Sequence, residues 1–206
     1  MRRVAVRLVI RWVGVLAFAG IAVGIADARD ERDPVLLQSG GFGMQLAAAA
    51  RRQMSHFVFY SSTYRKIGYP LGDVPSYLGV CTDVVVRAYR DLGIDLQVLV
   101  HKSRAGSGDT NIDHRRVEVL RRFFSRAGTA LPITGDPANY KPGDLVTYYM
   151  PKGWLSKTHI AIVAAEKSPA GVPLVIHNRG WGVQSEDWLF AERITGHFRY
   201  AGPGKR

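Results

Sequence analysis

The chain has 206 residues, 47% of them hydrophobic and 22% charged, with a formal net charge of +11. That length suits one domain with a sizeable core and is short for two, and the composition excludes a largely disordered chain. The single cysteine excludes an internal disulfide, and the positive excess favours anionic surfaces as partners.

Arg2, Arg3, Arg7 and Arg11 make a basic start, an apolar run extends from Trp12 to Ala26, and Ala26-Asp27-Ala28 supplies a small-x-small cleavage pattern. Residues 1–28 therefore read as a signal peptide. The run is about fifteen residues, short of the roughly twenty of a spanning helix; an uncleaved N-terminal anchor is the alternative. Export to a bacterial periplasm or cell envelope follows, with no membrane span after cleavage. The anionic surfaces there are phospholipid headgroups, lipopolysaccharide and wall-peptide carboxylates, and nucleic acid is not an expected partner.

Residues 29–43 read as a linker. Met44 to Met54 reads as an alanine-rich helix, and Tyr60 to Leu78 as a long ordered loop punctuated by Gly68, Pro70, Gly72 and Pro75. Val84, Val85, Ala88, Tyr89 and Leu92 form the apolar stripe of a buried helix that begins at Cys81 and stops at Gly93. A further helix through Phe124 is expected, capped by Asn111 or Asp113, with Arg115, Arg116, Arg121 and Arg122 facing outward. Strands follow at 144–149, 159–164, 172–178 and 196–200, joined by short connections. Residues 202–206 make a basic tail. Helices first and antiparallel strands afterwards indicate an α+β domain over 44–201.

A cysteine at a helix N-terminus is suited to thiolate chemistry, because unpaired N–H groups and the helix dipole favour negative charge there. An imidazole can take its proton, and a third polar group can orient that imidazole. Cys81, His159 and His177 supply these three roles. His159 opens a strand and can face the helix end, and His177 comes within reach of it if their strands form a hairpin. Asn178 is the runner-up orienter, although strand alternation aims it at the opposite face. Asp83 either assists the site or complements the helix dipole. Tyr69 either lines a substrate groove or packs. Asp113 and His114 either contact substrate or serve structure. His101, Asp109, Asp113 and His114 lack zinc-site spacing, and there is no P-loop, dinucleotide fingerprint or serine elbow.

The stretch from Gly79 to Ile94 resembles the nucleophile helix of NlpC-type cell-wall cysteine peptidases. Lys141-Pro142-Gly143-Asp144-Leu145-Val146 is similar to their first core strand, Thr158-His159-Ile160-Ala161-Ile162-Val163 to their histidine strand, and Val175-Ile176-His177-Asn178 to the strand of their third catalytic residue. A closer resemblance is to the YijF-like family of bacterial envelope proteins, a domain of unknown function. It is carried by Tyr69-Pro70-Leu71-Gly72-Asp73-Val74-Pro75, Asn111-Ile112-Asp113-His114-Arg115-Arg116 and Gly196-His197-Phe198-Arg199-Tyr200. The superfamily resemblance implies a papain-like core that cleaves peptidoglycan peptides with Cys81, His159 and His177, without metal or cofactor. One departure is Val80-Cys81-Thr82-Asp83, where those peptidases carry Asp-Cys-Ser-Gly; the hairpin between the His159 and His177 strands is also longer. An acyl or amide transferase on the same thiol, and a non-catalytic envelope-binding module on the same scaffold, are the alternatives.

Overall fold

The computed structural model describes residues 41–204. The expected signal peptide, most of the linker and the end of the basic tail lie outside the described residues. No described helix is long and apolar enough to cross a membrane.

Helix α1 (Phe42–Arg52) buries Leu46, Ala47, Ala49 and Ala50 and ends in Arg51 and Arg52, which complement its C-terminal carbonyls. Helix α2 (Cys81–Asp91) buries most of its length. Its end is a Schellman turn: Gly93, at φ 75°, donates to the Arg90 carbonyl, and Ile94 donates to the Tyr89 carbonyl. The helix therefore stops where the glycine predicts. Helix α3 (Leu96–Ser103) is capped by Asp95, which accepts from the Gln97 and Val98 amides; the sequence reading assigned no element there.

Helix α4 (Val117–Ala127) begins later than expected. Asp113 does not cap it, because Asp113–Arg115 form a separate 3-10 turn. Asp113 instead accepts from the Ser107 hydroxyl and the Gly108 amide, folding the loop that carries those two residues against that turn. Arg115 does not face outward either: it is buried.

Strands β1 (Phe59–Tyr60) and β2 (Leu78–Gly79) make a short parallel pair ahead of α2. The main sheet contains β3 (Thr129–Ala130), β4 (Leu145–Tyr149), β5 (Thr158–Lys167), β6 (Pro173–Asn178), β7 (Val183–Glu186) and β8 (Arg193–Arg199). Its order is β3-β8-β4-β5-β6-β7, and every pairing is antiparallel. Alternation divides its side chains between two cores. Leu145, Ile160, Ile162, Ile176 and Phe198 pack with the helices, whereas Val146, Tyr148, Ala161, Val163 and Val175 pack with Tyr140 and Leu189 on the other face. The expected α+β layout, helices on an antiparallel sheet with Cys81 at a helix N-terminus, is the layout observed.

Candidate active site

Cys81 is the first residue of α2 and is 3% exposed. Its thiol meets three backbone N–H groups, those of Ile160, Thr82 and Cys81 itself. Each favours a thiolate. Burial outweighs them, and nearby Asp83 adds to the effect, so the thiol is pushed up to about 12.

Asp83 closes the first turn of α2 by accepting from the Val80 amide at 2.7 Å. It also receives a bidentate pair from Arg115, with Nε to Oδ1 at 2.8 Å and Nη2 to Oδ2 at 2.9 Å. Thr82 donates its hydroxyl to the Arg115 carbonyl. Both chemistry-bearing neighbours of Cys81 in sequence therefore pin the helix start to the 3-10 turn. This explains the burial of Arg115: an ionised carboxylate inside the core requires a paired, hydrogen-bonded cation.

His159 and His177 stand on the sheet face opposite the helices. Tyr148 is paired with His159 across β4 and β5. The register of β5 and β6, Ile162 with Ile176 and Val163 with Val175, puts His177 diagonally across from His159 on the same face. His159 Nε2 lies 2.9 Å from His177 Nδ1, and His177 Nε2 lies 2.7 Å from Glu186 Oε2. Arg179 grips Glu186 through Nε at 3.0 Å and Nη2 at 2.9 Å. Trp188 packs against both imidazoles and under the Arg179 guanidinium.

This chain assigns the tautomers. The hydrogen bond from His177, reinforced by Arg179, holds Glu186 down at about 2, so it is an ionised acceptor at neutral pH. His177 must donate to it from Nε2. Neutral His177 then has a bare Nδ1, which accepts from His159 Nε2–H. Neutral His159 is left with a bare Nδ1 and no further hydrogen bond among the described residues. Burial, His177 and Arg179 hold His159 well below the ordinary imidazole range, and burial lowers His177 despite Glu186. Both rings are therefore neutral bases at pH 7.

No hydrogen bond joins the thiol to His159 among the described residues. The sulfur approaches β5 from the helix side at the Ile160 amide, one residue beyond His159, whose ring leans toward Trp188 and His177.

Asn178 is buried, points away from His159 and accepts from the Gly180 amide; its Nδ2 has no partner. Tyr69 is half exposed, packs edge-on against His101 and does not line the cleft at Cys81. His114 is buried with Nδ1 unpartnered, and burial lowers it to about 4. Among the described residues no three His, Cys, Asp or Glu side chains gather as metal ligands.

Glu186, Arg179 and Trp188 were not singled out from the sequence. A signal for Glu186 exists: Gly180 and Gly182, both at positive φ, mark a turn after β6, and the returning strand sets Glu186 opposite Val175, diagonal to His177. Tyr60 was also missed. It lines the cleft of about 400 Å³ in front of Cys81, and burial, Cys81 and Asp83 push its phenol upward.

A family model described as a domain of unknown function, DUF1287, matches residues 47–200. The chain belongs to this family. The Escherichia coli (strain K12) protein "Uncharacterized protein YijF" is 41% identical over 169 residues, covering 76% of this chain and 81% of that protein. Among solved structures, NlpC2 from Trichomonas vaginalis is similar at 17% identity and a TM-score of 0.48, covering 78% of this chain and 47% of that one. NlpC1 from the same organism is similar at 16% identity and a TM-score of 0.45, covering 77% of this chain and 44% of that one. The chain spans less than half the length of either structure.

In this DUF1287 chain the three stretches that carry the family resemblance each contribute to a buried or half-buried ion pair. Asp73 holds Arg87 and Arg90, Asp83 holds Arg115, and Asp144 holds Arg199 and His197. They brace the ends of α2 and the first core strand.

Proposed function

We propose that this DUF1287 chain is an exported cysteine hydrolase that cleaves an amide bond in cell-wall peptides. The observation that carries the proposal is the hydrogen-bonded chain His159–His177–Glu186, which leaves His159 Nδ1 as a free base on the residue next to Ile160, whose amide meets the Cys81 sulfur. Cys81 Sγ attacks the carbonyl carbon as its proton passes to His159 Nδ1, and the resulting imidazolium is stabilised through His177 and the Glu186 carboxylate. The thiol is neutral at rest, so charge separates only during attack; such hydrogen bonds commonly tighten when substrate binds. The Cys81 amide and the Tyr60 hydroxyl are the donors available to the tetrahedral oxyanion. His159 then protonates the leaving amine. Water, activated by the same nitrogen, hydrolyses the thioester, which releases the acid and restores the thiol.

The substrate class is supported by the signal-like residues 1–28, by the net charge of +8 that remains on residues 29–206 once Arg2, Arg3, Arg7, Arg11 and Asp27 are taken from the total of +11, and by the resemblance of the cysteine helix and histidine strands to cell-wall peptidases. Mass spectrometry of purified peptidoglycan treated with the wild-type chain and with Cys81→Ala tests the proposal. New peptide fragments are expected from the wild type alone. Equal digestion by Cys81→Ala would overturn it.

A further inference from the structure

The cleft in front of Cys81 has one strongly basic wall. Arg115, Arg116 and Arg122 line it together with Tyr60, Ser62 and Glu118. The three arginines differ in how they are held. Arg115 is 6% exposed, and Asp83 and the Ser61 carbonyl occupy its Nε and Nη2, whereas its Nη1 is buried without a partner. A buried guanidinium N–H with no acceptor is a costly arrangement that a bound acceptor would relieve. Arg122 is exposed and anchored through Nε to the Ala105 carbonyl, and Arg116 is exposed and makes no ion pair among the described residues. Glu118, the acid of this wall, is engaged by Arg121 from outside the cleft. The charge left facing the cleft is positive, on side chains whose planar forks match a carboxylate.

We infer that this wall is a carboxylate-binding subsite, so that the peptide bound beside Cys81 carries a free acidic group close to the amide that meets the thiol. The inference rests on the proposed hydrolase reading for its orientation to Cys81, but the binding it asserts does not depend on turnover. Arg116 and Arg122 supply the charge that selects an acid over its amide, and Arg115 supplies a fixed N–H deeper in the cleft.

The test is a binding measurement on the full chain carrying Cys81→Ala, so that no peptide is consumed. The probes are the synthetic tetrapeptides Ala-Glu-Lys-Ala and Ala-Gln-Lys-Ala, with both ends blocked. The acidic peptide is expected to bind at least about tenfold more tightly at low salt, and the preference should weaken as salt rises. Adding Arg116→Gln and Arg122→Gln should abolish most of that preference by weakening the acidic peptide more than the amide peptide; both side chains are exposed, so the fold should tolerate the changes. Equal binding of the two peptides, no binding of either at millimolar concentration, or a preference that survives the arginine changes would overturn the subsite. An intact preference in a chain whose wild type digests no peptidoglycan would leave the subsite standing and remove the hydrolase reading.

Discussion

His159 Nε2 and His177 Nδ1 lie 2.9 Å apart on one face of the sheet, and both rings are buried. Their order of donation is set from the far end, because Glu186 can only accept from His177. His177→Ala is expected to lower kcat about 100-fold. His177→Asn should retain more activity, because an amide oxygen can still accept from His159 Nε2. Glu186→Ala should also lower kcat, with KM little changed. Nitrogen-15 NMR of the resting protein at pH 7 checks the assignment without activity: His159 Nδ1 should carry the signature of an unprotonated ring nitrogen. A protonated Nδ1 would reverse the direction of the relay.

The Cys81 thiol, pushed up to about 12 by burial and by Asp83, is expected to react slowly with iodoacetamide at pH 7. The rate should rise steadily from pH 6 to pH 10 with no plateau. A rate already constant above pH 6 would mean that a thiolate–imidazolium pair is preformed, contrary to the neutral resting state derived above.

Breaking the buried Asp83–Arg115 pair leaves an uncompensated charge beside the start of α2. Arg115→Ala is expected to destabilise the fold by about 3–5 kcal/mol in denaturant titrations. Asp83→Ala should be comparably damaging, because it also frees the Val80 amide. The double replacement should fall well short of the sum of the two. Strictly additive losses would show that the pair is not coupled.

His114 is buried and lowered to about 4, against an ordinary value of 6.5. Its folded form binds a proton less readily than its unfolded form, so the stability it contributes is present above pH 6.5 and is lost as pH falls toward 4. The full loss from this one residue is roughly 3 kcal/mol. Denaturant midpoints should fall between pH 7 and pH 4, and His114→Leu should flatten that fall, since Nδ1 has no partner to lose. An unchanged pH profile in His114→Leu would assign the acid sensitivity elsewhere.

The periodicity of α2, its stop at Gly93 and the strands around 145–149, 158–167, 173–178 and 193–199 were all legible in the sequence. Apolar spacing and turn residues are local signals that the backbone obeys directly. Local pattern places Arg115 on the surface, as it does most arginines; nothing local announces an aspartate 32 positions earlier that pairs with it in the core. Asp113, with Asn111 one of two local candidates for a helix cap, instead uses its carboxylate to hold the loop before it.

By itself, then, the sequence determined the α+β class, the seat of Cys81 at a helix start and the placing of two histidines on neighbouring strands, because each follows from short-range periodicity. Only the tertiary structure decided that Glu186 and Arg179 complete the histidine chain, that Trp188 packs against both rings and that a basic wall fronts the thiol. Those relations join strands, turns and helices through register and packing, and a one-residue shift of β7 would turn Glu186 to the other face.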